Sequence, residues 1–451
     1  VWKNFSFLRS KKTMTISVEV NFSNKEDLVS LENLQRKNLE NIDRLKEPYE
    51  DESEDNSLWY NWPENEGKKL ASELEGISSR LPYYYDLVVV VGIGGSYTGT
   101  KTIHDLFGAS LEIRNQEPQK KPILFCGYHL SESYLQKQLK ILDQYKPVIC
   151  VVSKSGKTLE PNAIYSVLST HLKKRFSHEE ILERTFFVSS KKESPFLKEL
   201  SPNKSRFFSI PDGIVGRFSV LSAASLVPLA LAGHNIKALM RGADDFFKKL
   251  EAKEEHTLKS LIYAPARFLA WKEGKSVELL AYEEPQLEGL GLWWQQLFAE
   301  SEGKQEKAIF PIGSLFSRDL HSIGQYIQEG SKSIFETFLL TSGVRSEGNF
   351  ESESRIRIPT DEFSRELLGK ASGHYLDDLN EKIMKASRKA HSLREVPNCT
   401  LQIGVLNEST LGFLIAFFQT SCVLGSFLLE VNPYNQPGVE AYKKELLHLL
   451  S

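Results

Sequence analysis

The sequence predicts an α/β protein built from two halves, each a parallel-rich sheet covered by helices on both faces. Three observations carry that expectation. Short runs such as Leu87–Val91 and Val148–Val152 consist wholly of apolar residues, the texture of strands buried on both faces. Stretches long enough for a helix separate them, as parallel pairing requires. The pattern occurs twice along the 451 residues, so two α/β halves are the simplest architecture.

In chain order, residues 14 to 80 are polar and helix-leaning, with a solvated acidic run at Asp51-Glu52-Ser53-Glu54-Asp55. The first strand series follows at Leu87–Val91, Ile123–Phe125, Val148–Val152, Phe186–Val188 and Phe207-Phe208. Phe218 to Ala232 and the charged stretch around Asp244 to Lys253 then read as helix and connection. A second series comprises Val277–Ala281, Ala308–Phe310, Ile334–Leu340 and Ile403–Val405. Leu411 to Leu429 carries no charge over 19 positions, but Gln419, Thr420, Ser421 and Ser426 interrupt it. That stretch is expected to be a buried helix of a large core, not a membrane span. Residues 1 to 13 hold a basic cluster and no long apolar segment, so no secretory signal is read there; Met14 is a candidate start.

The composition, 41% hydrophobic and 25% charged, excludes disorder as the main theme. A net charge of −3 gives no global attraction to nucleic acid or to an anionic membrane, so any anion binding must be local. Cys126, Cys150, Cys399 and Cys422 lie far apart without zinc-type spacing, which predicts reduced core thiols in a cytoplasmic protein.

Two strand-to-helix turns could carry chemistry. Ser155-Gly156-Lys157-Thr158 ends like a nucleotide-binding loop, yet Val151 stands where that loop needs its first glycine. Hydroxyls of Ser153, Ser155 and Thr158 beside a helix N-terminus suit a phosphate monoester instead; an ordinary hydroxyl-rich cap is the alternative. Gly92-Ile93-Gly94-Gly95-Ser96-Tyr97 follows the valine strand and resembles a dinucleotide fingerprint, but Tyr97 occupies the third glycine position, and no carboxylate follows the next strand. What remains is a glycine turn at Gly95 that lets backbone approach a ligand, with Ser96 able to bind it. Both turns would lie at the carboxyl edge of one parallel sheet, which strengthens the reading of a phosphate pocket.

The second half offers acid–base groups. Leu292 to Gly303 reads as an amphipathic helix on which Gln296 and Glu300, four positions apart, share a face. Glu300 alone could be a surface carboxylate, His321 a cap, Lys443 a solvated helix lysine, and Arg217 half of a buried pair. Residue types therefore give a phosphorylated small molecule and possible proton transfer, without fixing a reaction.

Taken together and in order, VVGIGGSYTG, VVSKSGKTLEP, IPDGIVGRFSVLSA, WWQQLFAESEGK, DLHSIGQYIQEG and VNPYNQPGVEAYKK resemble the bacterial-type phosphoglucose isomerase family. The resemblance runs from about residue 80 to the end. It implies two sugar-isomerase (SIS) α/β/α domains, at 81–235 and 276–430, joined by a helical connection at 236–275. Residues 1–80 would form an N-terminal extension and helical segment, and 431–451 a C-terminal segment. The implied reaction interconverts glucose 6-phosphate and fructose 6-phosphate, in glycolysis and gluconeogenesis, without metal or organic cofactor.

By motif position, Gly95, Ser96, Ser153, Lys154, Ser155 and Thr158 resemble the phosphate-binding set. Glu300 resembles the base that moves a proton between C2 and C1, and His321 the ring-opening histidine that enters from a neighbouring subunit. Lys443 resembles the second acid–base group at the ring oxygen, Arg217 the cation beside the enediolate, and Gln296 and Gln436 polar groups that orient the sugar. A homodimer is implied. Three positions depart from the family's pattern: Lys157 replaces a threonine, Val215 replaces the first of two glycines before Arg217, and Tyr434-Asn435 stands for Phe-Asp. A non-catalytic sugar-phosphate sensor and an isomerase of another hexose phosphate are the competing readings.

Overall fold

The computed structural model describes residues 14–22, 24–49, 55–111, 120–190, 206–346 and 355–450. Residues 1–13 and the acidic run, apart from Asp55, lie outside that description.

Among the described residues, ten strands form two five-stranded sheets. The strands are β1 (Ile16–Asn21), β2 (Leu87–Val91), β3 (Ile123–Cys126), β4 (Pro147–Val152), β5 (Thr185–Ser189), β6 (Phe207–Ser209), β7 (Val277–Tyr282), β8 (Phe310–Leu315), β9 (Ile334–Leu340) and β10 (Asn398–Ile403). The principal helices are α1 (Lys25–Glu40), α2 (Gly95–Phe107), α3 (Leu159–Leu172), α4 (Ala223–Leu231), α5 (Ile236–Glu251), α6 (Glu288–Glu302), α7 (Leu320–Glu329), α8 (Leu376–Leu393), α9 (Glu408–Leu429) and α10 (Pro437–Leu450).

The first sheet runs β3-β2-β4-β5-β6 and is wholly parallel. Every residue of β2 and β4 is buried, because the helices that connect parallel strands cover both faces. The chain leaves β2 to one side for β3 and returns on the other for β4. The crevice between the β2 and β4 carboxyl ends is therefore a topological switch point, where connections diverge and leave room for a ligand.

The second sheet runs β1-β10-β9-β7-β8, with β1 antiparallel to β10 and the remaining pairs parallel. Three expectations need correction here. Residues 16–21, read with the helix-leaning N-terminal region, form an edge strand; the Ile16-Ser17-Val18-Glu19-Val20 alternation is the signal that a wider search for period-two patterning detects. The strand expected at Ala308 starts at Phe310, since Ala308 adopts a φ of 77° in the preceding turn. The strand expected at Ile403–Val405 instead ends at Ile403, after polar Asn398 and Thr400 that are buried and hydrogen-bonded.

Helix α9 is long and apolar enough to cross a bilayer, yet 94% of its apolar window is buried inside the chain. Its polar interruptions are only partly satisfied: Gln419 Nε2 donates to the Phe218 carbonyl at 3.1 Å and Ser426 Oγ to the Cys422 carbonyl at 2.9 Å, whereas the buried Thr420 and Ser421 hydroxyls have no hydrogen-bond partner among the described residues. The core around α9 extends to the second sheet and to α6, which fixes the helix that carries Glu300.

Candidate active site

A cleft of about 540 Å³ opens between the first switch point, α6 and the start of α10. Of the twelve side chains expected at the site, eleven line it: Gly95, Ser96, Ser153, Lys154, Ser155, Thr158, Arg217, Gln296, Glu300, Gln436 and Lys443. His321 does not. It sits exposed on the first turn of α7, away from the cleft of its own chain.

The phosphate-suited wall comes from two turns. After β4, Ser153 is 3% exposed, and its Oγ lies 3.3 Å from Thr158 Oγ1. Gly156 holds a φ of 66°, the left-handed conformation that reverses the loop; its N–H donates to the Ser153 carbonyl at 3.1 Å. Thr158 then caps α3 without using its side chain on the helix backbone, which leaves the hydroxyl turned toward Ser153. Carbonyl and ammonium of Lys154 are held on opposite sides: its carbonyl accepts from Ser189 Oγ at 2.9 Å and from the Ser190 N–H at 2.9 Å, and its Nζ donates to the Asp212 carbonyl. After β2, Gly95 opens α2, and a Cβ there would meet the Gly216 carbonyl at 2.0 Å. Only glycine lets the helix start rest on the segment that delivers Arg217.

Both walls therefore present a helix N-terminus. Partial positive charge and unpaired N–H groups at such ends, together with the hydroxyls, form an anion-binding surface.

Opposite them stands a connected polar network. Arg217, 1% exposed, donates from Nη1 to Glu300 Oε2 at 2.9 Å and to Gln436 Oε1 at 2.8 Å. Its Nη2 donates to the Pro433 carbonyl at 2.7 Å and the Asn435 carbonyl at 3.2 Å, and its Nε to Ser301 Oγ at 2.8 Å. Burial pulls the guanidinium below the usual arginine range, and the Glu300 charge acts against that fall. Gln296 Nε2 donates to Glu300 Oε1 at 3.0 Å, so each carboxylate oxygen has a partner. The Gln296 amide is oriented in turn by Thr98, whose hydroxyl donates to Oε1 at 3.0 Å.

Thr98, Ser301, Ser190 and Asp212 were missed in the sequence. Thr98 and Ser301 lie within the quoted motifs, but nothing in a linear string says which hydroxyl turns toward Gln296 or Arg217. Asp212 sits in the quoted IPDG stretch, where its backbone carbonyl meets Lys154.

The three departures have local accounts. Val215 takes φ −72° and ψ 158°, an extended conformation open to any residue, and Arg217 still reaches Glu300. Tyr434 is 3% exposed, and its hydroxyl accepts from Trp59 Nε1 at 3.0 Å, so the added polar atom is satisfied. Asn435 meets Arg217 through its backbone, which the side-chain change leaves intact. Lys157 is exposed and does not line the cleft.

This fold, with a phosphate-suited switch point facing a carboxylate held by arginine, defines an SIS-type sugar-phosphate isomerase. Residues 84–450 match the sequence profile of phosphoglucose isomerase. A glucose-6-phosphate isomerase of Clostridioides difficile is 36% identical over 395 residues, covering 87% of this chain and 86% of the relative. One from Bacillus cereus is 36% identical over 398 residues at the same coverage. A solved glucose-6-phosphate isomerase from Chlamydia trachomatis shares the fold, with a TM-score of 0.74 at 19% identity over 96% of this chain and 88% of that one. A Thermus thermophilus protein solved without assigned function superposes with a TM-score of 0.79 at 23% identity, over 94% and 96% of the two chains. The chain belongs to the phosphoglucose isomerase family.

Proposed function

We propose that the cleft interconverts glucose 6-phosphate and fructose 6-phosphate with Glu300 as the proton-transferring base. The family match and the two 36% identical relatives support the reaction. The observation that carries the assignment of roles is the convergence, in one cleft, of two anion-suited turns with a carboxylate paired to a buried arginine.

The phosphate binds at Ser96, Ser153, Ser155 and Thr158, with Lys154 backbone in the same turn. Binding there, remote from the reacting carbons, holds the acyclic sugar in place. Lys443 and His321 open the ring: one proton goes to the ring oxygen while another leaves the C1 hydroxyl. Glu300 then takes the proton from C2, the electron pair forms the C1–C2 double bond, and negative charge develops on O1. The O2 hydroxyl passes its proton to O1, and the same carboxyl returns its proton to C1 as the charge now on O2 collapses to the C2 ketone. A positioned base of this kind is typically worth about 10²–10⁴-fold. Arg217 stabilises the enediolate oxygens more than the neutral sugar, which is the condition for acceleration. Gln296 and Gln436 orient the sugar hydroxyls. Proton transfer between neighbouring carbons needs no metal or organic cofactor.

In this reading His321 serves the cleft of a second copy, as its separation from its own chain's cleft suggests. The chain would work as a homodimer. Mixing Glu300→Gln with His321→Ala subunits tests this, because a mixed dimer regains one complete site; no recovery of activity after subunit exchange would refute it. The four cysteines are buried and unpaired, which supports a reducing, cytoplasmic setting.

The first experiment is conversion of fructose 6-phosphate, followed by coupling to glucose-6-phosphate dehydrogenase, for the parent and Glu300→Gln. Turnover that collapses in the variant supports the assignment. A parent that binds the sugar phosphate without turnover would overturn it in favour of a sensor.

A further inference from the structure

Between α9 and α10 the chain crosses from the buried core to the cleft as a strap, Asn432 to Gln436, held largely by side chains of other elements. Trp59 Nε1 donates to the Tyr434 hydroxyl at 3.0 Å, and Arg217 Nη2 to the Pro433 and Asn435 carbonyls. Lys304, two residues past α6, makes a further link. Its Nζ donates to the Asn432 carbonyl at 2.6 Å and to the Ser301 carbonyl at 2.6 Å.

Ser301 is thus gripped twice. Its hydroxyl accepts from Arg217 Nε and its carbonyl from Lys304, and the residue before it is Glu300. We propose that Lys304 is a positioning residue of the isomerase site, clamping the Glu300 end of α6 to the strap that presents Gln436 and Lys443. This rests on the assignment of Glu300 and Lys443 above. Lys304 lines no part of the cleft, so it acts through its neighbours.

The physical argument concerns orphan carbonyls. The last four C=O groups of a helix have no intrahelical partner, and a strap between helices has none of its own. A single ammonium that serves one carbonyl from each joins the two at a fixed distance. Lys307 offers the natural contrast: its Nζ donates to the Leu429 carbonyl at 2.9 Å, within the last turn of α9 and before the strap begins. Burial first, and Arg217 second, push Lys304 down to about 7, which marks how far this ammonium has been drawn from water toward the arginine.

The test compares Lys304→Met, Lys304→Gln, Lys304→Arg and Lys307→Met with the parent. Expected for Lys304→Met is a kcat lower by roughly 10–100-fold, since displacement of a reacting group by about 1 Å can cost about 10²-fold. KM and the inhibition constant for inorganic phosphate should stay within about threefold, because the phosphate turns belong to the first sheet. Lys304→Gln should fall the same way by less, Lys304→Arg should recover most of kcat, and Lys307→Met should keep kcat. A Lys304→Met kcat within twofold of the parent, a parallel loss of phosphate affinity, or failure of both Lys304→Met and Lys304→Gln to fold would each overturn the proposal. If the parent turns over and Glu300→Gln does not, such a result removes Lys304 alone; a parent without turnover removes the isomerase assignment itself.

Discussion

The two sheets share a parallel β-α-β plan and use it in opposite ways. At the first switch point, between β2 and β4, the carboxyl ends lead into the turns at Ser96 and Ser153 to Thr158, and both open into the cleft. The corresponding place in the second sheet lies between β7 and β9. There Glu283 follows β7, is 7% exposed, and accepts the Thr341 N–H after β9 at 3.1 Å. A carboxylate of the chain itself occupies the position where the first sheet offers room for an anion, and neither Glu283 nor Thr341 lines the cleft. The second half contributes instead the last turn of α6. On the proposed assignment, phosphate would meet helix ends that carry partial positive charge, while Glu300 sits at an end that carries partial negative charge and is compensated by Arg217. Topology supplies a crevice twice, and local side chains decide which one receives a ligand.

Breaking the second half's contribution should have the largest effect. Glu300→Gln is expected to lower kcat by about 10²–10⁴-fold with KM little changed, read by the coupled assay. Arg217→Lys keeps a charge but loses the fork that reaches Glu300, Gln436 and the strap together; a fall in kcat/KM of about 10²–10³-fold is expected. Ser153→Ala and Thr158→Val test the first half. Each should raise KM about tenfold and weaken inhibition by inorganic phosphate, with kcat less affected, as a hydrogen bond to a charged group is worth about 1.5–3 kcal/mol. If kcat collapsed while KM held, the division of labour between the halves would be wrong.

Glu283 sharpens the comparison without touching catalysis. Burial first, and nearby Glu284, Glu381 and Asp377, push its carboxyl up to about 7, against the Thr341 N–H. Between the ordinary glutamate range and about 7 the folded chain therefore holds a proton that the unfolded chain releases. Its contribution is present at lower pH and is lost as pH rises through that window. Glu283→Gln should accordingly gain in denaturant midpoint relative to the parent between pH 5 and 8, with kcat unaltered; equal pH profiles would contradict the buried-carboxylate account. The smallest effect is expected at Lys157. An exposed charge outside the cleft contributes little, so Lys157→Thr should leave KM within about twofold at low salt.

How much of this was legible in the sequence follows the same division. Strands β2 and β4 could be read almost to the residue because burial on both faces leaves an unbroken apolar run, and β9 could be read from the apolar residues that flank its buried Glu336 and Thr337. Strand β1 escaped because an edge strand alternates and its neighbours are polar. Gln296 and Glu300 were legible as one helix face, since the period of the helix fixes it. The grip of Arg217 on Pro433 and Asn435 was not, because it joins backbone carbonyls more than two hundred positions away, and carbonyls carry no residue signature. His321 was legible as a motif position only, and it stands exposed outside the cleft of its own chain.

The pairing of β1 with β10 has a consequence for how the chain acquires its structure during synthesis. Strands of the first sheet all lie between residues 87 and 209, so that sheet has every partner once this stretch has left the ribosome. The second sheet has no such autonomy. Ile16 pairs with Ile403 and Asn21 with Asn398, so β1, the first of the described strands to emerge, waits for β10, the last of them. Until then β1 is an unpaired alternating segment, the kind that invites pairing with a neighbouring chain, and closing so long a loop carries an entropic cost that only the finished sheet offsets.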